Sequence, residues 1–248
     1  MLFFGKKPDA HKKNTMAMGA PLTRSQMREA TRKRISLISR EFGAAFRFLE
    51  DHPRSVTFFG SSKADPQNEY YKRAESLAAR IVKELGYSVI SGGGPGVMEA
   101  ANKGAFEVGG SSLGITIDLP KKQINNKYLT DYVPLFYFFT RKVALSFSAE
   151  AFVFFPGGFG TLDELFELLT LAQTKKIKSV PIILIGQDYW EAFRGFLEKE
   201  LVLRGMILES DLSILTIEDD EEKVLDIIRR APPRDEVPFN EADHQKWL

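Results

Sequence analysis

Cysteine is absent from the 248 residues of this sequence. Its absence excludes disulfide bonds, thiolate metal ligands and a cysteine nucleophile, and it is compatible with a reducing cytoplasm. Long hydrophobic runs are also missing, since no segment approaches the ~18 consecutive apolar residues that a membrane-spanning helix needs. The apolar start, Met1 to Phe4, is followed at once by charged and polar residues and lacks the hydrophobic core of a signal peptide. We therefore expect a soluble, cytoplasmic protein with no membrane partner.

The sequence also lacks a surplus of charge of either sign. Lysine and arginine total 34 and aspartate and glutamate total 33, which gives a formal net charge of +1. No overall field is then available to attract nucleic acid or an anionic membrane, so we expect no nucleic-acid partner. The histidines, His11, His52 and His244, are not spaced with acidic residues in the way that metal ligands are. The sequence therefore predicts no bound metal, and no Ser, His and Asp arrangement suggests acyl transfer.

The distribution of polar and apolar residues divides the chain into four segments. Residues 1–22 are polar, rich in lysine and interrupted by proline and glycine, which favours a flexible tail over a contact with nucleic acid. Residues 23–52 carry apolar residues at roughly helical spacing and predict an extra N-terminal helix, packed on the main domain or against a partner subunit. Residues 53–231 form the main domain, and the polar residues 232–248 form a C-terminal tail.

Short apolar runs alternate with amphipathic helical patterns throughout the main domain. This alternation is typical of a parallel sheet covered by helices on both faces, so we predict a doubly wound, three-layer α/β fold. In such sheets, ligands bind beyond the carboxyl ends of the strands, near the point where the strand order reverses. The predicted strands are Val56–Phe59, Tyr87–Ile90, Leu113–Ile117, Phe136–Phe138, Ala151–Phe155, Pro181–Ile185 and Leu212–Ile217.

A glycine-rich loop follows the predicted strand Ala151–Phe155 and precedes a helix predicted over residues 162–174. Its three glycines allow backbone N–H groups to converge on an anion, and the start of the helix adds positive potential. Thr161 adds a hydroxyl donor, so the loop predicts a phosphate site. The alternative is a tight strand-to-helix turn in which Thr161 is the N-cap. The glycines are Gly157, Gly158 and Gly160.

Glu164 lies close to the start of the same predicted helix and has two interpretations. In the pattern Thr-x-x-Glu, its carboxylate forms a capping box with Thr161, which is a structural role. Next to a bound sugar phosphate, the same carboxylate could face the anomeric carbon. The residue alone does not decide between these roles.

A second glycine-rich loop, Ser91–Gly96, follows the strand Tyr87–Ile90 and leads into a helix that carries Met98. Its spacing matches neither the dinucleotide-binding pattern nor the P-loop. The loop forms either a glycine wall against a flat base or ribose, or a sharp turn that lets helix and sheet pack closely. The turn at Gly60 and Ser61, expected to be its neighbour in the sheet, is weaker evidence for the same site.

Arg141 and Lys142 follow an aromatic-rich segment at the start of another predicted helix. As an isolated pair they would be solvated surface charges. Arginine, however, offers a fixed fork of donors to a phosphate or a purine edge. Two anion-binding loops, a carboxylate and this basic pair on one sheet edge together favour a nucleotide site over a purely structural protein.

The three motifs together resemble the signature of the LONELY GUY (LOG) family. They are Ser91–Asn102, the pair Arg141-Lys142, and Pro156–Glu164, and the resemblance spans about Ser55 to Leu201 in the same order. The long N-terminal helix is similar to that of the longer bacterial branch. The resemblance implies a Rossmann-like fold, homodimers or higher oligomers built on dimers, and no cofactor. It also implies hydrolysis of cytokinin riboside 5′-monophosphates, and often AMP, to the free base and ribose 5-phosphate.

The resemblance also implies roles for individual residues. Arg141 and Glu164 would be the catalytic pair. The loop Leu119–Asp131 matches the family loosely, so the base preference stays open. Family members are often labelled lysine decarboxylases, but nothing in this chain suggests a pyridoxal phosphate site. The alternative is a non-catalytic nucleotide or molybdenum-cofactor carrier of the same fold. The phosphate would be held by Gly157, Gly158, Gly160 and Thr161, with Lys142 nearby, and the nucleoside would be bordered by Gly93, Gly94 and Met98.

Overall fold

The computed structural model describes residues 23–118 and 125–233. The predicted tail 1–22, all but the first two residues of the predicted tail 232–248, and part of the predicted loop after Leu119 lie outside the described residues. The chain divides into two units, Met1–Leu37 and Ile38–Leu248. Within the described ranges, none of the helices combines the length and the apolarity needed to cross a membrane.

Strands and helices alternate along most of the described chain as the sequence predicts, although no helix separates β3 from β4 within the described residues. The strands are β1 Ser55–Phe59, β2 Ser88–Ser91, β3 Ser112–Ile117, β4 Asp131–Leu135, β5 Ala151–Phe154, β6 Ile182–Leu184 and β7 Leu215–Ile217. The helices are α1 Arg24–Glu50, α2 Glu69–Arg80, α3 Val97–Glu107, α4 Phe138–Ser146, α5 Phe159–Gln173, α6 Gln187–Phe196 and α7 Glu221–Arg229. A π-helical turn, Ile81–Leu85, continues α2, a second, Leu197–Val202, continues α6, and a 3₁₀ segment, Glu209–Ile214, precedes β7.

The seven strands form one sheet in the order β4-β3-β2-β1-β5-β6-β7, and every pairing is parallel. The chain runs outward from β1 to β4 and then returns to β5 on the other side of β1. The strand order therefore reverses between β1 and β5, which opens a crevice beyond their carboxyl ends. The Rossmann-like, doubly wound α/β prediction is confirmed.

Two apolar cores cover the two faces of the sheet. In β5 and the residue after it, Phe152 and Phe154 belong to one core, and Val153 and Phe155 belong to the other. Helices α4, α5 and α6 and the second half of α1 pack on the first face, while α2, α3 and α7 pack on the second. Burial on both faces explains why the strands are continuous apolar runs instead of alternating ones.

The N-terminal helix α1 occupies the segment in which the sequence predicts one. The boundary between the two units falls inside it, between Leu37 and Ile38. Its second half belongs to the main unit because Ala45, fully buried, and Phe48, 8% exposed, are part of the first apolar core.

The strand predicted at Phe136–Phe138 is wrong. The strand at this point is β4, which ends at Leu135, and Phe138 already begins α4. Pro134 lies inside β4, which is at the edge of the sheet. Edge strands tolerate proline because the missing N–H can fall on the side without a neighbouring strand.

Candidate active site

Three loops meet at the crevice between β1 and β5. The backbone N–H of Ser61, in the loop after β1, donates to the carbonyl of Pro156, in the loop after β5, at 3.0 Å. The N–H of Val97, at the start of α3, donates to the carbonyl of Ser61, also at 3.0 Å. The turn at Gly60 and Ser61 is thus the link that holds the two glycine-rich loops at fixed positions.

A cleft of about 550 Å³ opens above these loops. Its wall combines one arginine and one buried carboxylate with an apolar surface, which is the composition expected of a site for a small organic anion. The polar lining is Ser61, Ser62, Lys63, Arg141, Thr161, Asp163 and Glu164. The remaining lining is Phe59, Gly60, Gly92, Pro95, Met98, Phe138, Leu145, Gly158, Phe159 and Gly160.

Helix α5 begins at Phe159 with Gly158 as its N-cap, three residues earlier than predicted. The prediction that Thr161 is the N-cap is therefore wrong, because Thr161 lies inside the first turn. No side chain caps the N-terminus of α5. The first N–H groups of a helix have no partner within the helix, and the helix dipole concentrates positive potential there. The loop and the first turn of α5 could therefore bind an anion through backbone donors.

Glu164 lies in the second turn of α5, not in its first turn, and the capping-box interpretation is wrong. Its side chain is buried, with the residue 8% exposed, and its Oε2 atom has no hydrogen-bond partner among the residues that the structure describes. Burial raises the pKa of this carboxyl from 4.5 to about 7, even though the positive charge of Arg141 opposes the shift. A buried, unsatisfied carboxylate that lines a cleft is costly to the fold, which makes it a candidate for catalysis.

Arg141 lies in the first turn of α4 and extends toward the carboxyl ends of β2 and β3. Its Nε donates to the carbonyl of Ile115 at 2.9 Å, and its Nη2 donates to the carbonyl of Gly92 at 3.4 Å. These bonds use two of the five N–H donors of a guanidinium group. Burial lowers the pKa of Arg141 from its ordinary value, and the charge of Glu164 opposes this shift. The pair Arg141 and Glu164 is therefore electrostatically coupled inside the cleft.

Lys142 does not line the cleft. Its Nζ lies 2.9 Å from Oδ1 of Asp163 and 2.8 Å from Oε2 of Glu167, both on α5. Burial works against its charge, but these two carboxylates raise its pKa above the ordinary value. Lys142 therefore neutralises the carboxylates on either side of Glu164 along the helix, and its effect on a bound anion would be indirect.

Gly93 and Gly94, predicted to border the nucleoside, also lie outside the cleft lining. The backbone N–H of Asn126 donates to the carbonyl of Gly93 at 2.9 Å, and the Asn126 side chain donates to the carbonyl of Gly94 at 3.1 Å and to Oδ1 of Asn102 at 2.9 Å. This buried amide network holds the loop after β2, so these two glycines serve the turn. Gly157 also takes part in holding its loop, because its carbonyl accepts a hydrogen bond from the Tyr189 hydroxyl at 2.8 Å.

Six of the predicted binding residues lie in the cleft together with the predicted pair Arg141 and Glu164. They are Gly60, Ser61, Met98, Gly158, Gly160 and Thr161. The sequence analysis missed Gly92, although it is part of the glycine run, because only the fold brings Arg141 against it. It also missed Phe138 and Phe159, which are 59% and 93% exposed and carried no sequence signal. No group of three or more potential metal-ligating residues is present in the described ranges.

Replacing Gly160 with alanine is expected to weaken anion binding without lowering the stability of the fold. The position has open space for a Cβ atom and lies inside α5, so alanine should stabilise the helix by roughly 0.5–1 kcal/mol. The added methyl group would occupy the space that an anion needs to approach the helix start. We expect an unchanged or higher melting temperature, together with an affinity for ribose 5-phosphate that is lower by about tenfold in titration calorimetry. Unchanged affinity would contradict the location of the anion site.

Comparisons with known proteins agree with this geometry. A family model described as "Possible lysine decarboxylase" matches residues 98–228. A cytokinin riboside 5′-monophosphate phosphoribohydrolase of Arabidopsis thaliana is 25% identical over 183 residues, covering 73% of this chain and 85% of the relative. A probable phosphoribohydrolase of the same kind from Oryza sativa subsp. japonica is 27% identical over 186 residues, again covering 73% and 85%.

Solved structures show the same architecture. The X-ray structure of TM1055 has a TM-score of 0.52 at 25% identity and covers 71% of this chain and 99% of its own. A molybdenum cofactor binding protein from Rippkaea orientalis has a TM-score of 0.51 at 22% identity, with 72% and 96% covered. At this low identity, the second likeness shows the fold alone.

Proposed function

The chain belongs to the LONELY GUY (LOG) family, whose family model is described as possible lysine decarboxylase, and we propose that it hydrolyses the N-glycosidic bond of a nucleoside 5′-monophosphate. The products would be the free base and ribose 5-phosphate. The observation that carries this proposal is Glu164, a buried carboxylate with an unpartnered oxygen in the same cleft as Arg141 and the start of α5. In this arrangement the start of α5 would bind the phosphate, Glu164 would face the ribose and Arg141 would face the base.

The 5′-phosphate is assigned to the N-terminus of α5. Gly158, Gly160 and Thr161 line the cleft there, and the backbone N–H groups of the first turn would be its donors. Binding energy from the phosphate holds the ribose in place without taking part in the bond cleavage. Nucleosides without the phosphate should therefore react poorly.

Glu164 is assigned to the anomeric carbon, one helical turn further along α5. When the bond to the base breaks, positive charge develops on the ribose ring, and a fixed carboxylate stabilises that charge. The same carboxylate can take a proton from the water molecule that adds to C1′. Its low exposure keeps solvent from weakening either interaction.

Arg141 is assigned to the base. A Cβ atom placed on Gly92 would contact both Nη2 of Arg141 and Sδ of Met98, so the guanidinium lies beside the apolar wall at Met98. Its remaining donors can stabilise the negative charge that moves onto the departing base, which leaves as the neutral base after taking up a proton. The phosphate has its own site on α5 and does not need this group.

A homodimer, or a higher oligomer built on dimers, is also part of this proposal. Several large apolar side chains on β4 and α4 and in the residues next to them are exposed, which is typical of a surface that contacts another protein. They are Tyr132, Phe136, Phe138, Phe139 and Phe147.

The pH dependence of kcat/KM should show the ionisation of Glu164. Since its pKa in the folded protein is about 7 and the carboxylate is the active form, kcat/KM should fall tenfold per pH unit well below pH 7 and level off above it. The measurement is initial rates of base release from AMP between about pH 5 and 9. An acid limb centred near 4.5 would contradict the assignment of Glu164 as the base.

The proposal is tested by incubating the purified protein with AMP, isopentenyladenosine monophosphate, GMP and CMP and following the free base by chromatography. Release from at least one of them supports the hydrolase and identifies its base preference. Binding of AMP without release from any of the four would overturn the proposal and favour a nucleotide or cofactor carrier of the same fold.

A further inference from the structure

The N-terminal helix α1 contributes a carboxylate to the start of the helix that carries Arg141. Oε1 of Glu41 accepts the backbone N–H of Phe136 at 2.9 Å, and Oε2 accepts the N–H of Tyr137 at 3.3 Å. The hydroxyl of Thr140 can donate to the same Oε2 at 2.7 Å. One half-buried side chain thus binds two backbone N–H groups at the N-terminus of α4, and it shares the Thr140 hydroxyl with the carbonyl of Tyr137, which also lies 2.7 Å from that hydroxyl.

Helix α4 has no cap of its own. Tyr137 is its N-cap residue, and its side chain makes no capping hydrogen bond. Helices whose first N–H groups are left unsatisfied fray at that end, and a negative charge there also complements the helix dipole. Glu41 supplies the acceptor and the charge from a residue that is distant in sequence.

The residues whose N–H groups bind Glu41 lie a few positions before Arg141 in the chain. The N–H of Tyr137 binds Glu41, and the carbonyl of Tyr137 accepts the backbone N–H of Arg141 at 3.2 Å. The other end of α4 is also held by α1, because the rings of Phe46 and Phe147 lie 6.1 Å apart. Helix α1 therefore contacts both ends of this nine-residue helix, in addition to the packing of Ala144 and Leu145 in the core.

We propose that Glu41 is a positioning residue that holds Arg141 in the cleft by capping α4. This inference rests on the proposed function, because it assigns the role to the same arginine. It gives the second half of the N-terminal helix a function in the site, beyond packing on the domain. Displacement of a catalytic group by as little as about 1 Å can cost much of the rate, so loosening the start of α4 should be measurable.

The experiment compares the full-length wild type with Glu41→Gln and Glu41→Ala, and with Glu50→Ala as the matched control. Glu50 is an exposed carboxylate on the same helix. Two quantities are measured: kcat and KM for base release from the preferred nucleotide, and amide hydrogen exchange of residues 136–146 by mass spectrometry. Thermal unfolding of each variant shows that it is folded.

For Glu41→Ala we expect kcat to fall by about tenfold with KM changed by less than about threefold, and exchange in residues 136–146 to rise by about tenfold. Glutamine keeps the reach of the side chain but places an N–H₂ group against a donor, so Glu41→Gln should fall between wild type and Glu41→Ala in both quantities. Glu50→Ala should match wild type.

Unchanged exchange in Glu41→Ala would overturn the capping role. Faster exchange with unchanged kcat would overturn the link to Arg141. If Glu41→Ala does not fold, Glu41→Gln decides by the same two quantities. If the wild type releases no base, the proposed function fails on that result, whereas the exchange difference still tests the cap by itself.

Discussion

Replacing Glu164 with glutamine is expected to lower base release by at least about 10³-fold, while AMP binding stays within roughly tenfold of wild type. Glutamine has the shape of the carboxyl group but can neither take a proton from water nor offer a full negative charge to the ribose. The anion site at Gly158 and Gly160 is unchanged, so binding of the phosphate is retained. Single-turnover rates and titration calorimetry measure the two effects separately.

The same substitution is expected to stabilise the fold at alkaline pH. In the wild type, the folded pKa of Glu164 is raised above its unfolded value, so its favourable contribution is complete below pH 4.5 and is lost as the pH rises through about 7. The loss amounts to roughly 3 kcal/mol at about pH 8. Glu164→Gln should avoid it, so its free energy of unfolding should exceed that of wild type at pH 8 and approach it near pH 4.5.

Glu191→Gln, an exposed carboxylate on α6, is the matched control and should behave as wild type in both assays. If Glu164→Gln is active and more stable than wild type, burial of this carboxylate destabilises the fold but Glu164 is not catalytic. An inactive and unfolded protein would show that the carboxylate is structural. The assignment requires a protein that is folded, binds AMP and is inactive.

Replacing Gly92 with alanine is expected to lower kcat/KM by about 10²-fold without removing any charged group. A Cβ atom at this position would overlap Nη2 of Arg141 and lie 2.8 Å from Sδ of Met98. The guanidinium must then move, and its bonds to Ile115 and to Gly92 itself would be broken or stretched. The variant therefore tests the position of Arg141, whereas Arg141→Ala removes the group altogether.

Gly195→Ala provides the control for Gly92→Ala. This glycine lies in α6, and a Cβ atom there has no neighbour within 4 Å. The control should keep full activity and gain a little stability from the better helix former. Full activity in Gly92→Ala would show that the guanidinium can shift without consequence and would remove Arg141 from the catalytic pair.

These expectations differ from those of a carrier protein with the same fold. A carrier needs the anion site on α5 but has no use for a buried, uncompensated carboxylate beside it. The molybdenum cofactor binding protein with a TM-score of 0.51 shares the architecture of the sheet. Substitution of Glu164 and Arg141 distinguishes the two proposals, because in a hydrolase it should lower release of the base far more than binding.

Local sequence patterns placed the two glycine-rich loops correctly at the ends of strands. Each glycine-rich loop follows an apolar strand, and the carboxyl ends of parallel strands lie on one edge of a sheet. The structure brings the loop after β2 and the loop after β5 together through the turn at Ser61. Arg141 and Glu164, separated along the chain, both line the resulting cleft.

Two motifs each allowed two interpretations, and the local sequence could not separate them. Thr-x-x-Glu is a capping-box pattern, yet α5 begins at Phe159, and Glu164 is left buried in the second turn. Gly93 and Gly94 belong to a glycine run that fits a ligand wall, yet Asn126 binds both of their carbonyls. The first case depends on where the helix begins, and the second on a contact from another segment of the chain.

By itself, the sequence determined the order of strands and helices, the two glycine-rich loops at strand ends and the residue types needed for a nucleotide site. These properties depend on periodicity and turn chemistry, which act over a few neighbouring residues. The partners of the charged side chains were decided only by the tertiary structure. Lys142 binds Asp163 and Glu167, and Glu41 accepts the backbone N–H of Tyr137, 96 residues further along the chain. Such pairings depend on which elements the sheet order places side by side, because a charge is neutralised by whatever group lies within a few ångströms of it in space.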